Sequence, residues 1–510
     1  MNLLKKNWVT LVFLTIVIFA SFLRLYKLGE VPGSLDWDEA SLGWNAYSLF
    51  KTGTDEYGKA LPVSIRSFND FKPPLYVYAA IPTTAIFGLN EFSVRLPSAV
   101  AGILTVILTY FLVRQLVIAI PTQREEQSSN NRSEKIASPS SYWVRNDTFA
   151  LVTTLLLAIS PWHLQFSRAA FEANVALFFF VFGAYLLLKF PLLSVFPFVL
   201  SIYSYHSPRL VIPAFLFLLF IFYFKKILKS WKLLFVSCAL FLVSLYPLVR
   251  NTLHVGSVTA RLNSVSVVSS PTEYLNNYLS HYNFDFLFLS ADNNGRHHVP
   301  DFGLLYLGEF PFLLAGIYFL IKNRPSWLKF LLAWVIAAPA ASALVIDSPH
   351  AIRSLLFLPT FQIITSYGIL KILSKKTALI VVALYLVNFT TYIHQYYVHF
   401  PVEYAKDWQY GYKQVVQKVL ASENNYTTIY MTNFYDQPYI YFLFYGRVSP
   451  VVKNSGYFYQ AFDKYEFGRF KDDKRALYVL SPTELNNKYQ VFDQVNFPDG
   501  KPAFLFATIK

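Results

Sequence analysis

The chain has 510 residues, of which 55% are hydrophobic, 18% aromatic and only 15% charged, and its mean hydropathy is +0.37. Soluble domains carry about 25% charged residues and disordered chains combine low hydrophobicity with high charge, so both classes are excluded and lipid must be the main solvent. The 44 Lys and Arg outnumber the 30 Asp and Glu, giving a net charge of +14; the placement of those charges fits a membrane surface and not nucleic acid, and the lone Cys238 excludes a disulfide framework and a cysteine zinc site.

The first apolar run, Trp8 to Leu25, is too long for a signal-peptide core and lacks a small-x-small cleavage site, so it reads as a retained anchor. Eleven spans are expected, at 8–26, 96–118, 148–166, 170–188, 191–205, 209–224, 233–249, 304–321, 327–345, 354–371 and 377–396. With the N-terminus in the cytoplasm, the basic residues of the short loops, among them Lys189, Lys225, Lys226, Lys322 and Lys375, fall on the inner side, while the longer outer connections hold fewer. This pattern holds only if the apolar, proline-interrupted segment 73–88 lies at the outer interface and does not cross. Segment 38–50 reads as a second interfacial helix, with Leu42, Ala46, Leu49 and Phe50 on one face. The resulting outer loops run over 27–95 and 250–303, and the Ser/Asn/Gln-rich stretch 119–147 is expected as a flexible cytoplasmic loop. No internal repeat of the kind that builds inverted-repeat transporters is seen.

Composition changes near His399, which divides the chain into a membrane domain, 1–398, and a small extracytoplasmic α/β domain, 399–510. Helices are expected near 407–421 and 436–445, and strands near 426–432, 475–480, 489–494 and 503–509.

Ionisable residues gather at the outer boundary. The string LDWDEAS holds Asp36, Asp38 and Glu39 where the first span meets the first interfacial helix, and Asp55, Glu56 and Asp70 follow. One carboxylate suffices for a helix N-cap; three at a membrane surface point to chemistry. Lys72 stands before Pro73 and Pro74 at headgroup level, either snorkelling or offering a point charge to a phosphate. Arg95, His163 with Arg168 and Glu172, His206 with Arg209, Asp292 with Arg296, His297, His298 and Asp301, and His350 with Arg353 each occupy an outer turn. Singly, each fits a headgroup contact or a structural ion pair. Together they describe a cavity with a carboxylate on one wall and cationic donors on the others. The adjacent His297 and His298 point in different directions and make no metal site by themselves; Mg²⁺ or Mn²⁺ on the carboxylates is possible but not required, and no cofactor is called for.

The run WDEASLGWNAYSLFKTGTDEYG followed by FKPPLYVYAAIPTTAIFGLNEFSVRLPSAVAG resembles the opening of the polytopic GT-C glycosyltransferases, in particular the protein O-mannosyltransferase and aminoarabinose-transferase superfamily. The matching motifs are Asp38-Glu39, Lys72-Pro73-Pro74, Arg95 to Ser98 and the His350 to Arg353 turn, and the specific part covers residues 35–105. The resemblance implies a helical polytopic fold with two juxtamembrane helices in the first outer loop, which carries the catalytic carboxylate. It also implies a polyprenyl-phosphate-linked sugar as donor on the outer face of the cell membrane.

On that basis the chain is expected to be an inverting hexosyl or pentosyl transferase. Asp38 would be the general base, supported by Glu39 or Asp36. Lys72 and Arg95 are first choices for holding the leaving phosphate, with Arg168, Arg209, His350 and Arg353 next; His163, His206, Asp70, His297 and His298 are further cavity candidates. The acceptor, whether protein, lipid or glycan, is open. A polytopic lipid or solute transporter, or a scaffold working through its C-terminal domain, are the competing readings.

Overall fold

The computed structural model of the protein describes residues 2–68, 70–119, 139–255, 267–450 and 460–510. Most of the expected cytoplasmic loop, and residues 256–266 of the second long loop, lie outside these.

Each expected span overlaps a helix. These are α1 (Asn2–Leu25), α4 (Glu91–Ala119), α5 (Pro139–Ile159), α7 (Glu172–Lys189), α8 (Val195–Ser204), α9 (Pro208–Leu228), α10 (Trp231–Val255), α12 (Phe310–Asn323), α13 (Leu328–Ala337), α14 (Thr360–Ile372) and α15 (Lys375–His394). Of these, α8 and α13 are only 10 residues long. Among the described residues, seven helical stretches are long and apolar enough to cross a membrane unaided, and a bent pair makes up to an eighth. The chain is thus a multi-pass membrane protein. In the bent pair, α5 gives way to α6 (Pro161–Ser167) with a turn of 58°. Pro161 has no N–H to give to the preceding turn and its ring crowds it, so the expected single span 148–166 breaks at Ser160.

Between α1 and α4 the first long loop folds into α2 (Trp37–Thr52), a hairpin of β1 (Ile65–Ser67) with β2 (Asp70–Lys72), and α3 (Leu75–Phe87). Asp36 starts α2 as one half of a capping box: its carboxylate accepts from the Glu39 N–H at 2.7 Å, and the Glu39 side chain accepts from the Asp36 N–H at 3.3 Å. Gly53, at φ +71°, ends the helix in the left-handed region. The helix is buried on more than the one expected face. Leu42, Ala46 and Leu49 are buried as expected, but Phe50 is exposed, and Gly43, Trp44 and Asn45 are buried too. The reason lies in the C-terminal domain, whose helix α17 (Pro438–Tyr445) packs on the opposite side of α2. A Cβ built on Gly43 would stand 2.4 Å from Val94 and 2.7 Å from Phe444.

That domain carries a six-stranded sheet in the order β4-β5-β3-β6-β8-β7, with β3 (Ile429–Met431) parallel to both β5 (Tyr465–Phe467) and β6 (Leu477–Leu480). The long strands β7 (Tyr489–Asn496) and β8 (Pro502–Ile509) form an antiparallel pair at one edge, and the short β4 (Ala461–Phe462) closes the other. Helix α16 (Tyr412–Ser422) and α17 fall where the sequence puts them. The domain has no separate core on its inner side. Trp44, Tyr76 and Val94 of the first loop and α4 share one apolar cluster with Tyr412, Tyr441 and Phe504.

Candidate active site

Asp38 sits in the first turn of α2, and Lys72 ends β2, directly before the two prolines that open α3. The Lys72 ammonium donates to an Asp38 carboxylate oxygen. The Asp38 side chain is 40% exposed and that of Lys72 10%. Both line a cavity of about 330 Å³, with Asp36, Asp70, Glu172 and His206 also on its wall. The second long loop brings Arg296 and His297 to the same space, and the turn before α14 brings His350 and Arg353. An adjoining polar cavity, also about 330 Å³, shares Trp37, Asn294, Arg296 and His350 with it and adds Asp292, Asp347 and Asp407.

Charge in this cavity is organised by partners far apart in sequence. Arg296 donates to Asp36 at 3.0 Å and lies over the Trp37 ring at 5.0 Å. Burial pushes the Asp36 carboxyl up to about 6, against the pull of Arg296. Burial opposes the charge on Lys72, yet the Asp38 and Glu172 carboxylates outweigh it and raise the ammonium's pKa. Asp292 is held below the usual carboxylate range: burial works the other way, but His297 at 2.8 Å, His350 and the Ala351 N–H at 2.7 Å prevail. Burial, and after it the positive charge of Arg353 among its neighbours, shift the His350 imidazole well down. Just beyond the end of α2, Glu56 accepts from Tyr439 of the C-terminal domain at 2.9 Å and is pushed up to about 7, mainly by burial.

The other expected site residues stand elsewhere. Glu39 touches the cavity wall, yet its carboxylate is taken by Arg95 at 2.9 Å and by the Ala170 N–H at 2.7 Å. Arg95 is fully buried; besides Glu39 it donates to the carbonyls of Leu28, Pro32 and Ser34. Arg168 is buried in the same way on the carbonyls of Leu23, Tyr26 and Val31 and on the Tyr396 hydroxyl. These two guanidiniums clamp the turn that joins α1 to α2 and do not line the cavity. His163 is buried with its Nδ1 2.7 Å from Arg24. His298 binds the Val299 carbonyl at 2.9 Å, and Arg209 is partly buried at the start of α9; neither lines the cavity. Trp37, Glu172 and Arg296 are among the cavity residues that the sequence does not single out as site members, although Glu172 and Arg296 stand among the charged outer turns.

A family model described as dolichyl-phosphate-mannose-protein mannosyltransferase matches residues 71–122, which hold Lys72-Pro73-Pro74 and the Arg95 motif. No curated protein sequence matches. The crystal structure of ArnT from Cupriavidus metallidurans in the apo state superposes with a TM-score of 0.55 at 13% identity, over 99% of this chain and 98% of that one. The same protein bound to undecaprenyl phosphate gives 0.55 and 13%, over 98% of each chain. The fold is that of ArnT. The oligosaccharyltransferase AglB from Archaeoglobus fulgidus is more distant, with a TM-score of 0.46 and 15% identity over 88% of this chain and 64% of that one. The likeness to ArnT runs from end to end, so it takes in the membrane helices, the first loop and the C-terminal domain alike. It bears out the helical polytopic fold that the motifs imply and the small C-terminal α/β domain expected from the pattern after His399.

Proposed function

We propose that the chain is a membrane glycosyltransferase that moves a sugar from a polyprenyl-phosphate donor to an acceptor hydroxyl on the outer face of the membrane. The observation that carries this reading is the pairing of Asp38 with Lys72 in one cavity at the head of the helical bundle. A structure of the same fold binds undecaprenyl phosphate, and the family model over 71–122 describes a transferase that uses a dolichyl-phosphate sugar.

Transfer breaks the bond between the anomeric carbon and the phosphate through an oxocarbenium-like transition state. The acceptor hydroxyl must lose its proton to a base, and Asp38 is the half-exposed carboxylate at hand. The departing phosphate gains charge as the bond breaks, so fixed cations aimed at it lower the barrier. Lys72, Arg296 and Arg353 are the cations that reach the cavity. A phosphate entering beside Lys72 competes with Asp38 for the ammonium, which frees the base as the donor docks. Attack from the face opposite the phosphate inverts the anomeric centre. Asp36 fits a positioning role, because it caps α2 and holds Arg296.

The test is turnover by the purified chain in detergent, given short-chain polyprenyl-phosphate sugars and a membrane extract as acceptor source. Release of free polyprenyl phosphate with the sugar on a new linkage is expected from at least one donor. Movement of intact donor across a vesicle membrane, with the linkage unchanged, would establish a transporter in its place.

A further inference from the structure

The second long loop and the turn before α14 place Asp292, His297 and His350 together, and the transfer chemistry leaves this cluster unused. Each offers one ligand atom, all three side chains are buried, and the three atoms lie within 4.8 Å of one another. His297 Nδ1 is 2.8 Å from Asp292 Oδ2, and His350 Nδ1 is 3.7 Å from that same oxygen. The His350 nitrogen has no hydrogen-bond partner, although the side chain is only 9% exposed. The Asp292 carboxylate is itself held by the N–H groups of Ala351 at 2.7 Å and Asn294 at 3.1 Å. Backbone donors of this kind fix the orientation of metal ligands.

We propose that Asp292, His297 and His350 bind a divalent metal ion of the zinc class. Two imidazoles and one carboxylate suit zinc far better than magnesium or calcium. Around a tetrahedral zinc ion, ligand atoms at about 2.1 Å from the metal stand roughly 3.4 Å from each other, and the separations of 2.8 and 3.7 Å bracket that value. Metal binding at His297 Nδ1 takes the place of its contact with Asp292, and a neutral imidazole then carries its one hydrogen on Nε2. His297 and His350 line the first cavity, and Asp292 and His350 line the second. The ion would tie the second long loop to the 346–353 turn and add positive charge to the wall. The proposal does not rest on the transfer reading, since occupancy is read without turnover.

The experiment takes the full chain in detergent, strips it with EDTA, and titrates it with ZnCl₂ against a chromophoric chelator. One equivalent of zinc is expected. His350→Asn and Asp292→Asn should each weaken binding by about a hundredfold or more, the scale on which even supporting partners of metal ligands act, while His394→Asn should not change it. Zinc should also raise the melting temperature of the wild-type protein. Should either site variant fail to fold, Co²⁺ loaded on the wild type decides, because a low-coordinate site gives intense visible bands. Absence of a stoichiometric zinc ion from the folded wild type, unchanged binding in both site variants, or the weak spectrum of octahedral cobalt would each overturn the proposal and leave the cluster as a hydrogen-bonded Asp–His group.

Discussion

Asp38 and Glu39 are neighbours on the first turn of α2, yet they have opposite fates. Glu39 is buried and fully engaged by Arg95, the Ala170 N–H and the helix cap. Asp38 is 40% exposed and accepts from the Lys72 ammonium on the wall of the cavity of about 330 Å³. The difference follows from helix geometry, which turns adjacent side chains by about 100°, so one acid points into the clamp and the next into the cavity. A buried ion pair with every oxygen satisfied is a scaffold, because removing either partner strands a charge. A pair whose carboxylate end is 40% exposed can be opened by an arriving anion that takes over the ammonium.

The sharpest way to break this contrast is Arg95→Ala. It strands the Glu39 carboxylate in a buried site, so it should cost about 3–5 kcal/mol and leave little folded protein on size-exclusion chromatography. Lys72→Met should fold normally and lower transfer by roughly 10²–10³-fold, the usual effect of removing one preorganised donor to a developing anion; a normal rate with unchanged donor affinity would remove Lys72 from the chemistry. Gly43→Ala tests whether α2 depends on the C-terminal domain. The added methyl meets Val94 and Phe444, and overpacking of this kind costs about 1–3 kcal/mol, read as a lower melting temperature.

The smallest effect concerns pH. The Glu56 carboxyl, raised to about 7 by burial, lies among Asp55, Lys72, Asn45 and Tyr439. A carboxyl raised on folding binds more protons in the native than in the unfolded state between its two pKa values. Its contribution to stability is therefore complete below the unfolded value of about 4.3 and is lost as pH rises through about 7. The melting temperature of the wild type should fall between pH 5 and pH 8 (a range of about three units around the two values), and Glu56→Gln, which keeps the acceptor for Tyr439, should flatten that fall. An identical pH profile in the two proteins would show that Glu56 is not the group responsible.

Much of this was legible in the residues. Span positions follow from apolar run lengths, and the helical character of 38–50 follows from its apolar spacing. Lys72 and Asp38 stand out because charges beside an apolar run need a reason to be there. Arg95 and Arg168 carry the same signature and yet serve the α1–α2 turn, because the carbonyls that receive them are backbone groups with no mark in the sequence. Arg296 was hidden for a different reason: Asp36 is 260 residues away, and no local pattern links the two. The 65–72 hairpin has strands of three residues, too short for a period of two to register. The burial of a second face of α2 depends on α17, almost 400 positions downstream, and periodicity within one helix cannot report what covers its other face.

The central claim is that the Asp38 oxygen takes the acceptor's proton. Its most direct measurement is the single-turnover rate of sugar transfer by Asp38→Asn against wild type, with donor affinity and melting temperature recorded on the same preparations. A fall of about 10²–10⁴-fold, the range general bases supply, with donor binding and stability intact, is the predicted result; transfer within a few-fold of wild type would contradict it.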